Sequence, residues 1–108
     1  MNSTSVKLVI FVPLTHTDIV RQTLGEAGAG RIGNYEFCSF TTRGTGRFKG
    51  NESSNPTIGT KGEYGAVEEE RIEVVVPRAI LKNVIEKVKE VHPYEEVAFD
   101  VYSLEDFS

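Results

Sequence analysis

Five consecutive positions, His92-Pro93-Tyr94-Glu95-Glu96, bring together an imidazole, a phenol and two carboxylates, the densest cluster of chemically useful groups in the chain. His92, Glu95 and Glu96 could act as nitrogen and oxygen ligands to a divalent metal ion, with Cys38 or a neighbouring subunit completing the shell. Their spacing matches no closed zinc pattern. The competing reading is structural: His92 caps a helix, Pro93 ends it, Tyr94 packs, and the glutamates form ion pairs at the entrance to a strand.

The remaining candidates are more scattered. Cys38 is the single cysteine, and no base stands near it in sequence, so no nucleophile can be argued. Arg43, Arg47 and Lys49 lie in a Gly/Ser/Thr-rich stretch, where they could meet an anionic ligand. Gly28, Gly30 and Gly33 follow a helical pattern, whereas a phosphate-cradling loop follows a strand and opens a helix. Turn and close-packing duties fit them better. Glu68-Glu69-Glu70 reads as a solvated strand entrance.

Periodicity defines the elements that must position these groups. Val6 to Pro13 is a nearly unbroken apolar run, the pattern of a strand covered on both faces, and Met1 to Ser5 reads as a frayed, disordered tail. Thr15 is placed to cap a helix with Asp18 three residues on. Ile19, Val20, Thr23, Leu24 and Ala27 form its buried stripe. Gly25 weakens that helix, and Gly28 and Gly30 suit the turn that ends it. Asn34 to Thr42 alternates as a second strand. Arg43 to Gly65 reads as a long loop, with a short hairpin arm over Gly44 to Gly50 and Phe48, Ile58 and Tyr64 as apolar exceptions. Val67 to Pro77 is a third strand, and Pro77 suits a first helical position. Ile80, Leu81, Val84, Ile85, Val88 and Val91 line one side of a second helix that stops before Pro93. Val97 to Tyr102 alternates as the fourth strand.

The order strand, helix, strand, strand, helix, strand predicts a single α+β domain of ferredoxin-like βαββαβ form, a four-stranded antiparallel sheet with both helices on one face. One domain is all that 108 residues support, since a second core would bury too little surface. The other face of the sheet would then carry Cys38, Phe40, Val75, Ala98 and Tyr102, an apolar patch that predicts self-association. A net charge of -4 argues against a nucleic-acid partner, whose affinity comes mostly from Lys and Arg. The longest apolar run, Leu8 to Val12, is too short to span a bilayer. With one cysteine and no secretory pattern after Met1, the expected location is the cytoplasm.

Several motifs in one order carry a family resemblance: Gly28-Ala29-Gly30, Ile32-Gly33-Asn34-Tyr35, Cys38-Ser39-Phe40, Gly44-Thr45-Gly46-Arg47-Phe48, Pro56-Thr57-Ile58-Gly59, Glu70-Arg71-Ile72-Glu73 and His92-Pro93-Tyr94-Glu95-Glu96. From Lys7 to Leu104 the chain resembles the middle, inserted domain of the YqfO family, the NGG-interacting-factor-three-like proteins or GTP cyclohydrolase type-two homologues, as a free-standing version of that insert. The resemblance implies a PII/CutA-type fold, a homotrimer with open sheet faces around the threefold axis, and residues 43 to 65 in the place of the PII effector loop. The two-metal site of that family belongs to flanking domains. With only His16 and His92 in this chain, one subunit cannot rebuild it. The expectation is a non-catalytic, oligomeric PII/CutA-like module that binds a small ligand or a protein partner. Tyr35, Cys38, Arg43, Arg47 and Tyr94 are the candidate ligand residues. A divalent-metal role like that attached to CutA, through His92, Glu95 and Glu96, is the alternative.

Overall fold

A computed structural model describes residues 2 to 56 and 59 to 107. Strand β1 (Asn2–Pro13) leads through a 3₁₀ turn into helix α1 (Thr17–Glu26). Strands β2 (Phe40–Lys49) and β3 (Tyr64–Pro77) follow. A second 3₁₀ turn opens helix α2 (Leu81–Val91), and β4 (Phe99–Glu105) closes the fold. The strands form one antiparallel sheet in the order β2-β3-β1-β4. This is the ferredoxin-like βαββαβ arrangement that the sequence predicts.

The core follows from strand alternation. Val6, Leu8, Ile10 and Val12 of β1 and Ile72, Val74 and Val76 of β3 are buried with Val20 and Leu24 of α1 and Val84 and Val88 of α2. Leu81, Ile85 and Val91 complete the α2 stripe at the margin of this core, as the sequence predicts, and Ile80 joins them from the 3₁₀ turn before the helix. Ile19, expected in the α1 stripe, is half exposed. Among the described residues no helix is long and apolar enough to cross a membrane.

Several boundaries differ from expectation, each for a local reason. Residues 2 to 5 belong to β1: Ser5 faces Pro77, Asn2 faces Glu105, and the Arg78 guanidinium donates to the Ser3 carbonyl at 3.0 Å. Thr15 does not cap α1. It lies in the 3₁₀ turn Leu14–His16 with its hydroxyl 2.8 Å from His16 Nδ1. Pro77 ends β3 in an extended conformation, one turn before α2.

The largest correction concerns the second strand. Residues 34 to 39 are not strand, because Gly30 has taken their place beside β3: its N–H donates to the Val75 carbonyl at 2.8 Å, and Cys38 N–H donates to Gly30 O at 2.8 Å. Gly30 sits at φ +80°, where an added Cβ would meet the Cys38 backbone, so glycine is required twice over. The ladder is displaced toward the supposed loop. Residues 43 to 49 pair with residues 64 to 70, and the loop shrinks to 50–63. Beyond Glu69, which faces Pro13 of β1, β2 is the strand that pairs with β3 among the described residues. The outcome is a two-stranded arm in which the Phe48 ring lies over Gly65 and against Gly59. Thr57 and Ile58 of the quoted motif lie outside the described residues.

Candidate functional site

The His92 to Glu96 segment leaves α2 and is fixed at its first residue. His92 is 6% exposed, and its Nε2 donates to the Phe11 carbonyl at 2.8 Å. Nδ1 accepts the Tyr94 N–H at 3.2 Å. This pairing assigns the neutral tautomer with its proton on Nε2. Burial lowers the imidazole pKa, opposed by the Phe11 bond and by the Glu69 carboxylate. Both ring nitrogens are therefore used within the fold.

Tyr94 packs edge-on to His92, with ring centroids 5.0 Å apart, and its hydroxyl donates to Glu69 Oε2 at 2.9 Å. Burial, then the hydrogen bond to Glu69, raises the phenol pKa well above its ordinary value. The Glu95 carboxylate accepts the Asn55 N–H with both oxygens, at 2.8 and 3.2 Å. Glu96 is exposed. His92, Glu95 and Glu96 thus serve different tasks, and among the described residues no three His, Cys, Asp or Glu side chains form a metal-binding group.

Glu69 is the residue that sequence reasoning misses. It also lines a cleft of about 260 Å³ at the base of the arm, together with Phe11, Thr42, Arg43, Gly44, Thr45, Gly46 and Arg71. Gly44 and Gly46 leave the backbone of β2 bare there, and a Cβ on Gly46 would collide with the Glu69 carboxylate. The available signal is strand alternation, which turns Glu69 to the face opposite that of Glu68 and Glu70.

The five candidate ligand residues divide into two zones. Arg43 lines the arm-base cleft and Tyr94 is bonded to its Glu69, while Arg47 lies farther along the arm, opposite Ala66. Cys38 stands near Val75, six residues from Glu69 and so roughly 20 Å away along the strand. Tyr35 closes a tight turn with Ile32 around Gly33 and is 75% exposed. Cys38 lines a hollow of about 210 Å³ with Lys7, Phe40, Glu73 and Val75. Cys38 and Tyr94 are therefore too far apart to serve one small ligand within a subunit.

The sheet face away from the helices is mixed rather than the apolar patch that alternation predicts. Cys38 is outside the ladder, and an ion-pair group occupies the middle: Arg71 Nε to Glu73 Oε2 at 3.0 Å and Lys7 Nζ to Glu73 Oε1 at 3.5 Å. The Arg71 hydrogen bond holds the Glu73 carboxyl below its ordinary pKa. Around this group lie Phe11, Val75, Tyr102 and Phe40, the last 68% exposed.

Comparison with known proteins gives a consistent picture. No protein-family profile matches the chain. A Halalkalibacterium halodurans protein named GTP cyclohydrolase 1 type 2 homolog is 52% identical over 98 residues, which are 91% of this chain and 26% of that protein. The Bacillus subtilis protein of the same name is 46% identical over 99 residues, 92% of this chain and 26% of its own. The chain thus spans about a quarter of the length of these relatives. Among solved structures, a Bacillus cereus protein related to NIF3 superposes with a TM-score of 0.84 at 44% identity, covering 98% of this chain and 27% of the other. The periplasmic divalent cation tolerance protein CutA from Archaeoglobus fulgidus matches with a TM-score of 0.70 at 17% identity, over 94% of this chain and 85% of its own. That last likeness is one of fold.

Proposed function

From the premise that this chain is a homologue of one segment of the NIF3/YqfO-family proteins and has the CutA-type fold, we propose that it is a non-catalytic module that self-associates as a trimer through the open face of its sheet. In this reading it takes a small ligand or a protein partner in the arm-base cleft, and it works in the cytoplasm. The observation that carries the proposal is the uncovered sheet face, where Phe40 stands 68% exposed beside the Lys7, Glu73 and Arg71 group. A face with both signs of charge and a rim of apolar side chains can complement a copy of itself. The cleft lies on the same face, because Phe11, Gly44, Gly46, Glu69 and Arg71 share its register. Assembly would wall it in. The polar groups nearest the cleft are engaged in holding one another, Tyr94 with Glu69 and Arg71 with Glu73, which favours binding over bond-making chemistry.

Native mass spectrometry of protein purified without added metal or chelator tests the reading. The expected species is a trimer, and Phe40→Glu should dissociate it while leaving the far-UV spectrum unchanged. Burying the exposed part of a phenylalanine stabilises by about 3 kcal/mol, so the variant should associate at least a hundredfold more weakly. A wild-type monomer at tens of micromolar, or a Phe40→Glu trimer as stable as wild type, would sink the proposal.

A further inference from the structure

Among the described residues the β2–β3 arm has no third strand beyond Glu69, and an isolated two-stranded ribbon is at best marginally stable in water. Something else must set its direction. Among the described residues two side-chain bonds link it to the His92 to Glu96 connection, and they come from adjacent residues. The Tyr94 hydroxyl reaches Glu69 at the base of the arm, and the Glu95 carboxylate takes the Asn55 N–H in the loop at its end. The root of that connection is rigid, because His92 is tied to the β1 backbone at Phe11 and, through Nδ1, to the Tyr94 N–H.

We propose that the His92 to Glu95 connection is a two-point clasp that fixes the arm against the sheet, with Tyr94–Glu69 as its release point. Glu69 has two neighbourhoods, the Tyr94 hydroxyl and the arm-base cleft. A cationic or hydrogen-bond-donating group entering the cleft competes with Tyr94 for the same carboxylate. Capture of Glu69 frees the hydroxyl end of the clasp and leaves the Glu95–Asn55 bond in place. The arm is therefore a switchable element whose direction reports on the cleft. The clasp itself does not depend on the proposed assembly. Its link to cleft occupancy rests on the cleft being the binding site.

Hydrogen exchange followed by mass spectrometry on the full chain tests the clasp. Tyr94→Phe removes the hydroxyl bond and keeps the ring, and Glu95→Ala removes the second point. Each should speed exchange of the arm, residues 45–49 and 64–68, about tenfold, the factor expected for one charge-assisted bond in a locally opening element. Exchange in the centre of β1 should stay at its wild-type rate, and the subunit number should not change. Wild-type exchange in the arms of both variants would overturn the clasp, as would an equal increase in β1, which would mean global destabilisation. A guanidinium probe present during exchange addresses the link to the cleft: it should speed arm exchange in wild type and add nothing in Tyr94→Phe. The same increment in both would refute the release point while leaving the clasp and the trimer untouched.

Discussion

Gly25→Ala separates helix propensity from tertiary packing, because the two give opposite signs. Helix propensity alone makes the substitution stabilising by about 1 kcal/mol, since glycine loses the most backbone freedom in a helix. In the folded protein, however, a Cβ on Gly25 would run into the Phe37 ring, with three ring carbons in its way. Phe37 is 45% exposed, so roughly half of a ring that can bury about 200 Å² is at stake. At about 25 cal/mol per Å², losing that contact costs about 2.5 kcal/mol. Phe37 also sits at φ +59°, a conformation costing about 1–2 kcal/mol in a non-glycine residue. That strain is not released when the ring lifts, because Cys38 N–H is bonded to Gly30 O immediately after it. The net expectation is destabilisation by about 1.5 kcal/mol, measured by urea unfolding with an unchanged m-value. In a Phe37→Gly background the collision is gone, and Gly25→Ala should then stabilise by about 1 kcal/mol, a reversal that a double-mutant cycle detects. If Gly25→Ala alone raises the urea midpoint, Phe37 is not seated on α1, and the placement of Tyr35 and Cys38 on either side of it falls too.

Two further outcomes follow from the same geometry. His92 is neutral in the fold with its pKa depressed by burial, so the unfolded chain binds more protons once pH drops below the unfolded histidine value of about 6.5. Stability contributed by His92 is complete above that pH and is lost as pH falls toward the depressed folded value. In His92→Gln, whose amide can still donate to the Phe11 carbonyl, melting temperature should fall less steeply between pH 7 and pH 5. An identical slope would assign the loss to other groups. Gly30→Ala adds a Cβ at φ +80° against the Cys38 backbone, and should destabilise by about 2 kcal/mol or more in urea unfolding. A smaller cost would mean that residues 30 to 38 can move away from β3.

The elements fixed by many equivalent contacts were legible in the sequence. The β1 run and the α2 stripe each place at least four apolar residues on the helix side of the sheet, and no alternative register buries them as well. The elements fixed by one or two backbone bonds were not. Tyr35, Phe37 and Ser39 alternate as a strand should, yet a single Gly30 N–H directed at the Val75 carbonyl displaces them. Nothing in residues 34 to 39 records that competition. The arm was hidden for the opposite reason: its pairing joins Thr, Gly, Arg and Glu, whose strand propensity is weak or mixed, and its main apolar contact is Phe48 over a glycine.

The candidate site was half legible for a related cause. Residue type shows that His92, Tyr94 and Glu95 can form bonds but not which atoms already have partners, and partners decide between a metal ligand and a structural tie. The partners are the Phe11 carbonyl, the Tyr94 N–H, Glu69 and the Asn55 N–H, all at least 25 residues distant in sequence save one. Each belongs to β1, to the arm and its loop, or to the connection itself. A cluster that reads as chemistry in one dimension is thus a joint in three, and its polar groups couple the sheet to the two-stranded arm and its loop.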